Sequence, residues 1–296
     1  MQASGNRLVG LILRAGMRRG VPQYDGAVQE YIDNNRKLWD GMVPVHVASQ
    51  FYDVASFKAG RSSLMSVERD EVGPVEGKTL LHLQCHFGMD TLSWARLGAE
   101  VTGVDFSAPA IATARDLATE LGIGARFVES DVYGLPEVLQ GNFDIVFASY
   151  GVICWLPDFR RWAEIAASYV KPGGFFYLIE DHPVAAMLDD ESAGRPLRLR
   201  YPYTTGGVPQ VNEGNGTYAD RSAVLPHKRS YESNHGMGEI VTALIDAGLH
   251  VDFLHEFPFG VWQKLRDMTK GDDGFYHLPD EGAVPLMFSV KATKPP

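Results

Sequence analysis

Between residues 78 and 182, short apolar runs alternate with stretches of helical periodicity, and few architectures accommodate that alternation. Leu80-Leu81-His82-Leu83 reads as a strand after the turn Glu76-Gly77-Lys78, and residues 89–97 read as a helix stopped by Gly98. Val101-Thr102-Gly103-Val104 is a second strand. Ser107 then caps a helix with Pro109 in its first turn, where a missing N–H does no harm. Ile111, Ala114, Leu117, Ala118 and Leu121 share one face of it. Arg126-Phe127-Val128 is a third strand. The fourth, Phe143-Asp144-Ile145-Val146-Phe147-Ala148, is too continuously apolar to be solvated on one side. Asp158 starts a helix with Trp162, Ile165, Ala166 and Tyr169 on its inner side. Lys171-Pro172-Gly173-Gly174 ends that helix, and residues 175–179 form a fifth strand. In the tail, a helix is expected over 239–247 and strands over His250–Phe257 and 286–292. This alternation predicts an α/β fold with a doubly wound, mostly parallel sheet. Such a sheet holds its ligand at the carboxyl ends of its strands, near the point where the strand order reverses.

Two stretches break the pattern. Residues 21–75 look helical and aromatic (Tyr24, Tyr31, Trp39, Phe51, Tyr52, Phe57), and residues 184–235 are rich in Gly, Pro, Tyr and charge without a clear period. A loop that long inside a compact domain is a lid or a disordered segment. Both stretches are expected over the strand ends. The organisation is then an arm and helical cap over 1–76 and a core over 77–296, with 184–235 as an inserted lid.

With 27 basic and 37 acidic residues among 296, the net charge of −10 repels phosphate backbones and argues against a nucleic-acid binder. Two cysteines, Cys85 and Cys154, cannot supply a disulfide framework and point to a reducing cytoplasm. No apolar run approaches the roughly 18 residues that span a bilayer, so no membrane partner is expected. Residues 8–13 are apolar, but their basic neighbours mostly follow rather than precede them, which argues against a signal peptide. Arg7, Arg14, Arg18 and Arg19 make this arm either a solvated extension or a segment docked on a partner subunit in a homodimer.

The loop after the first strand reads Gln84-Cys85-His86-Phe87-Gly88. A dinucleotide fingerprint needs several glycines so that backbone can approach a pyrophosphate, and this loop keeps one. It still delivers the chain into a helix N-terminus, whose N–H groups and dipole suit a carboxylate. Asp105 ends the second strand, 17 positions after Gly88, with Phe106 beside it. A carboxylate there can accept two hydrogen bonds from a ribose diol, each contributing about 1.5–3 kcal/mol. Ser107 already serves the helix cap. Asp131-Val132 follows the third strand, where an acid beside an apolar residue suits an exocyclic amine on a purine; a plain loop aspartate would look the same.

The order of residues 80–88, Asp105, Asp131, residues 143–149 and residues 171–174 resembles the class I S-adenosylmethionine-dependent methyltransferases. It is most similar to the small-molecule branch that includes ubiquinone/menaquinone-type enzymes. The resemblance covers residues 77–182 well and the last helix and two strands loosely. It implies a seven-stranded Rossmann-like methyltransferase sheet in the order 3-2-1-4-5-7-6, with the last strand antiparallel. It implies S-adenosylmethionine as cofactor, S-adenosylhomocysteine as product, and a small-molecule acceptor, expected in secondary metabolism. By this resemblance, Asp105 and Phe106 would meet the ribose, Asp131 and Val132 the adenine, and Gln84, His86 and Gly88 the methionine moiety. Ser149 would lie near the sulfonium. The sequence departs from the family at His82, where an acid usually places the methionine amino group, and at Gln84 and His86, where glycines are usual.

Displacement at a sulfonium methyl already has an activated leaving group, so positioning dominates, at about 7–11 kcal/mol for well-oriented reactants. A base is needed only where the acceptor loses a proton. His182, directly after the fifth strand, is the first candidate because histidine titrates near neutrality. Tyr150, after the fourth strand, is the second, as a hydrogen-bond donor or pocket wall. Tyr52, Trp155, Glu180 and His235 are the expected substrate contacts; His46 and His227 are further candidates. Trp39, Tyr52, Trp155, Tyr201 and Tyr203 would line an aromatic acceptor site or pack the cap. His82, Cys85 and His86 lack the spacing of a zinc site, so no metal is expected. The competing functions are a methyltransferase-fold interaction module without turnover and a nicotinamide-dependent oxidoreductase, which the missing glycines disfavour.

Overall fold

The computed structural model describes residues 26–190, 196–279, 282 and 284–296. The basic arm with Arg7, Arg14, Arg18 and Arg19, and Tyr24, lie outside the described residues. Three helices come first: α1 (Gly26–Ala48), α2 (Val54–Lys58) and α3 (Ser66–Val72). The alternating section then runs β1 (Thr79–Leu83), α4 (Met89–Arg96), β2 (Glu100–Asp105), α5 (Ala108–Leu121), β3 (Arg126–Glu129), α6 (Leu135–Val138), β4 (Phe143–Ser149), α7 (Phe159–Tyr169), β5 (Val170–Asp181) and α8 (Pro183–Ala186). A hairpin of β6 (Gln210–Glu213) and β7 (Arg229–Glu232) follows. The chain finishes with α9 (Met237–Asp246), β8 (His250–Phe257), β9 (Phe259–Gly260), β10 (Thr269–Lys270), β11 (Tyr276–His277) and β12 (Met287–Thr293).

Seven strands pair in the order β3-β2-β1-β4-β5-β12-β8. Those from β3 to β5 are parallel, and β12 runs antiparallel to both of its neighbours. In chain order this is 3-2-1-4-5-7-6 with an inverted last strand, as the resemblance implies. The reason lies in side-chain parity. Leu80, Ile145, Phe147, Tyr177 and Ile179 pack on one face with Trp94 of α4, and Leu81, Leu83, Val146, Phe176 and Leu178 pack on the other with Trp162 of α7 and Leu244 of α9. Strands buried on both faces need apolar residues at both parities, which is the continuous run seen in the sequence.

The expected caps form. Ser107 Oγ accepts from Ala110 N at 3.3 Å, and Asp158 Oδ1 accepts from Arg161 N at 3.1 Å. One boundary differs: β5 begins at Val170, so the turn 171–174 is an irregular stretch of strand rather than a gap before it. Gly174 permits this, because a Cβ there would lie 2.7 Å from the Asp144 carbonyl oxygen of β4. Residues 259–277 contain a small sheet in the order β10-β11-β9 that the sequence pattern did not announce. Helix α1 is tied to the hairpin by Asn35, whose Nδ2 donates to Tyr231 O at 2.8 Å and whose Oδ1 accepts from Tyr231 N at 2.9 Å. Among the described residues, no helix is long and apolar enough to cross a membrane.

Candidate active site

A cavity of about 1230 Å3 opens at the carboxyl ends of β1, β2, β4 and β5. Its floor is the loop 84–90, Asp105, Ser149 and Glu180. Its walls include Trp39 and Tyr52 from the N-terminal segment, Tyr218 from the insertion and Trp262 from the loop after β9. The sheet order reverses beside β1, which is where such a fold binds ligands.

The loop after β1 carries three left-handed residues: Gln84 at φ 56°, His86 at φ 51° and Gly88 at φ 80°. Only glycine adopts that conformation freely, so side chains there are tolerated where the surroundings fix them. Gln84 is fixed at both ends: its Nε2 donates to Val152 O and its Oε1 accepts from Trp162 Nε1, each at 3.0 Å. The His86 amide donates to Asp105 Oδ2 at 2.8 Å. Gly88 has no alternative, since a Cβ would come within 2.8 Å of the Phe127 ring.

Asp105 also accepts from Ser107 N, at 2.9 Å. Burial pushes its carboxyl up to about 6, against the pull of these two amides. Phe106 lines the cavity beside it, with the Arg36 guanidinium 5.9 Å from its ring. Asp131 and Val132 also line the cavity; Asp131 Oδ1 accepts from Gly134 N at 2.9 Å and its Oδ2 lies 3.8 Å from Arg36. Ser149 Oγ reaches Asp90 Oδ2 at 3.4 Å. Tyr150 is left-handed (φ 47°), and its hydroxyl donates to Glu68 Oε2 at 2.6 Å. Glu68 is fully buried, and that burial pushes its carboxyl up to about 7.

Several of the expected residues have other work. His182 is corrected as a base: it is absent from the cavity wall, its Nδ1 accepts from Val184 N at 3.0 Å as the cap of α8, and its Nε2 meets Glu256 at 2.7 Å. Glu180 lies at the cavity, as expected of a substrate contact, and its carboxylate accepts from the amides of Gly151, Val152, Ile153 and Asp181 and so shapes the loop after β4. His235 also lines the cavity, with Nε2 meeting Leu156 O at 2.8 Å and Nδ1 meeting Glu239 at 3.3 Å. His227 meets Asn34 and Tyr203 meets Met237 N, neither on the cavity wall. Tyr52, Trp155 and Tyr201 do line the cavity, and the Trp155 ring stands edge-on to Trp39 at 5.4 Å.

His46 and His86, both named from the sequence, form a pair it did not show: His46 Nδ1 meets His86 Nε2 at 2.9 Å, and burial lowers both imidazoles, His46 to about 4. This is a neutral pair. Sequence reasoning missed Tyr218, Trp262, Lys264 and Asp90. Tyr218 hydrogen-bonds Tyr52 through their hydroxyls and joins the insertion to the cap. Lys264, from the loop after β9, pairs with Asp181 at 2.9 Å. Asp90 lies in the first turn of α4 on the cavity wall. Its only advance signal was an acid placed just beyond a glycine loop.

A family model described as a methyltransferase domain matches residues 80–174. The ubiquinone biosynthesis O-methyltransferase of Pectobacterium carotovorum is 33% identical over 114 residues, 38% of this chain and 47% of that protein. That of a Methylobacterium species is 30% identical over 141 residues, 47% of this chain and 56% of that protein. The chain thus spans about half the length of the curated relatives it matches. Among solved structures, an S-adenosylmethionine-dependent methyltransferase from Mesorhizobium loti superposes with a TM-score of 0.53 at 19% identity, covering 79% of this chain and 99% of that one. The glycopeptide N-methyltransferase MtfA with S-adenosylhomocysteine superposes at 0.50 and 19%, covering 86% and 96%. At such identities the likeness establishes the fold.

Proposed function

We propose, from the match of residues 80–174 to a methyltransferase domain, that this chain is a class I S-adenosylmethionine-dependent methyltransferase that transfers a methyl group to a small aromatic acceptor. The observation that carries the reading is the loop 84–88, whose three left-handed residues and His86-to-Asp105 hydrogen bond keep a tight turn at the cavity without the usual glycines. Asp105 would hold the ribose hydroxyls, Asp131 and Val132 the adenine edge, and the amides at the start of α4 the carboxylate of the amino-acid end. When bound, the cofactor supplies a methyl group on a sulfonium, an already activated leaving group.

The rest falls to this chain's own residues. Trp39, Tyr52, Trp155, Tyr218 and Trp262 offer flat apolar walls to a ring-bearing acceptor. The curated relatives are named O-methyltransferases, which favours a hydroxyl as the nucleophile. Tyr150 and Glu68 would take its proton: the Tyr150 oxygen accepts it while the Tyr150 proton passes to Glu68 Oε2, leaving a neutral phenol and a neutral carboxyl. Calorimetry tests the reading. The wild-type chain should bind S-adenosylhomocysteine and ignore NADH; binding of NADH in its place would refute it and favour the oxidoreductase.

A further inference from the structure

We propose that Asp90 receives the ammonium group of the cofactor's amino-acid end. The inference rests on the cofactor reading above and adds a residue to it. His82, which lines the cavity from β1, offers no negative charge. It is buried, its Nδ1 meets Thr91 Oγ1 at 2.8 Å, and burial lowers its imidazole to about 3. The His46–His86 pair is neutral as well. Of the residues in the loop 84–90 that line the cavity, Asp90 alone carries a carboxyl group.

Asp90 has hydrogen bonds but no counter-ion. Ser149 Oγ donates to it across a long 3.4 Å, and no Lys or Arg nitrogen comes within 4 Å of it among the described residues. The titratable groups that face it from the surrounding elements are Glu68 of α3, Tyr52, Cys85, Tyr150 and Tyr218, all acids or neutral. Burial raises its carboxyl. Asp90 is partly exposed at the wall of the cavity that takes the ligand, so a ligand seated there would cover a carboxylate that has no cation beside it, and covering an unpaired charge is costly. An ammonium arriving with the ligand supplies the missing charge. The adenosine part of the same ligand does not.

That difference gives the test. Calorimetry compares S-adenosylhomocysteine with 5′-methylthioadenosine, which keeps the nucleoside and lacks the amino-acid end, on wild type and Asp90→Asn. The expected result is about a ten-fold or greater loss for S-adenosylhomocysteine, as for losing a hydrogen bond to a charged group, with 5′-methylthioadenosine within twofold. Equal losses for both ligands, or no loss for either, would overturn the proposal. If the wild type binds neither ligand, the cofactor reading itself fails and this inference with it. Should Asp90→Asn not fold, the wild type still decides. The preference for S-adenosylhomocysteine over 5′-methylthioadenosine should shrink as the pH is lowered and Asp90 takes up a proton, and a constant ratio down to the acid limit of the fold would count against it. Asp105, pushed up to about 6, also takes up a proton on acidification but meets both ligands alike, so the ratio removes its effect.

Discussion

Replacing Glu68 by glutamine should stabilise the ligand-free chain at pH 8 and destabilise it slightly, by about 1 kcal/mol, near pH 4, where only the lost hydrogen bond counts. The carboxyl is fully buried and pushed up from 4.5 to about 7 by that burial, even though Tyr150 donates to Oε2 and Met65 N donates to Oε1 at 2.5 Å. Below pH 4.5 the group is protonated whether the chain is folded or not, and no penalty exists. Between 4.5 and about 7 the unfolded chain releases a proton that the folded chain keeps, so rising pH favours unfolding. Above about 7 the folded chain bears the whole cost of a buried carboxylate, about 3 kcal/mol. A glutamine fills the same space without ionising, but its single carbonyl oxygen cannot accept from both donors. That loss returns about 1 kcal/mol, leaving a net gain of about 2 kcal/mol at pH 8. Urea unfolding at the two pH values, with unchanged m-values, measures it. A variant destabilised equally at both would show that Glu68 sits ionised without penalty, and the proton-accepting role given to it would lose its basis.

Gly88→Ala combines a positive φ with a Cβ 2.8 Å from Phe127, and should cost about 2–4 kcal/mol by thermal unfolding while weakening S-adenosylhomocysteine binding. Asn35→Ala removes both hydrogen bonds to Tyr231 and should cost about 2 kcal/mol, with amide exchange at Tyr231 rising more than in β4; uniform exchange would deny the tether. Asp144 is held down to about 2 by Thr79 and Lys171, although burial opposes them, and its side chain is partly solvated. Its contribution, about 1 kcal/mol or less after screening, is present above pH 3.8 and fades towards pH 2. Asp144→Asn should therefore match wild type at pH 2 and fall behind at pH 7, as read by urea titration.

The sheet was legible because its strands are covered on both faces, so burial wrote itself into continuous apolar runs such as that of β4, and Ser107 and Asp158 marked their helices by chemistry that works locally. Strands of two residues leave no period, which is why β9, β10 and β11 went unseen, and with them Trp262 and Lys264. Tyr218 sits in a segment without regular structure, so nothing local ties it to Tyr52. His182 shows a different limit. Its place after β5 is right for a base, but position along the chain does not say whether the ring turns to the cavity or caps the next helix. Gln84 and His86 read as departures from a glycine loop, yet the backbone keeps the left-handed turns because Trp162, Val152 and Asp105 hold them. Asp90 looked ordinary because acids are common in a helix's first turn, where the dipole favours them.

The most direct test is a crystal structure of the chain grown with S-adenosylhomocysteine. The ribose hydroxyls should lie within hydrogen-bond distance of Asp105, with the adenine edge at Asp131 and Val132 and the thioether sulfur beside Ser149. A nucleoside bound elsewhere in the molecule, or turned so that its ribose leaves Asp105 unmatched, would contradict the account.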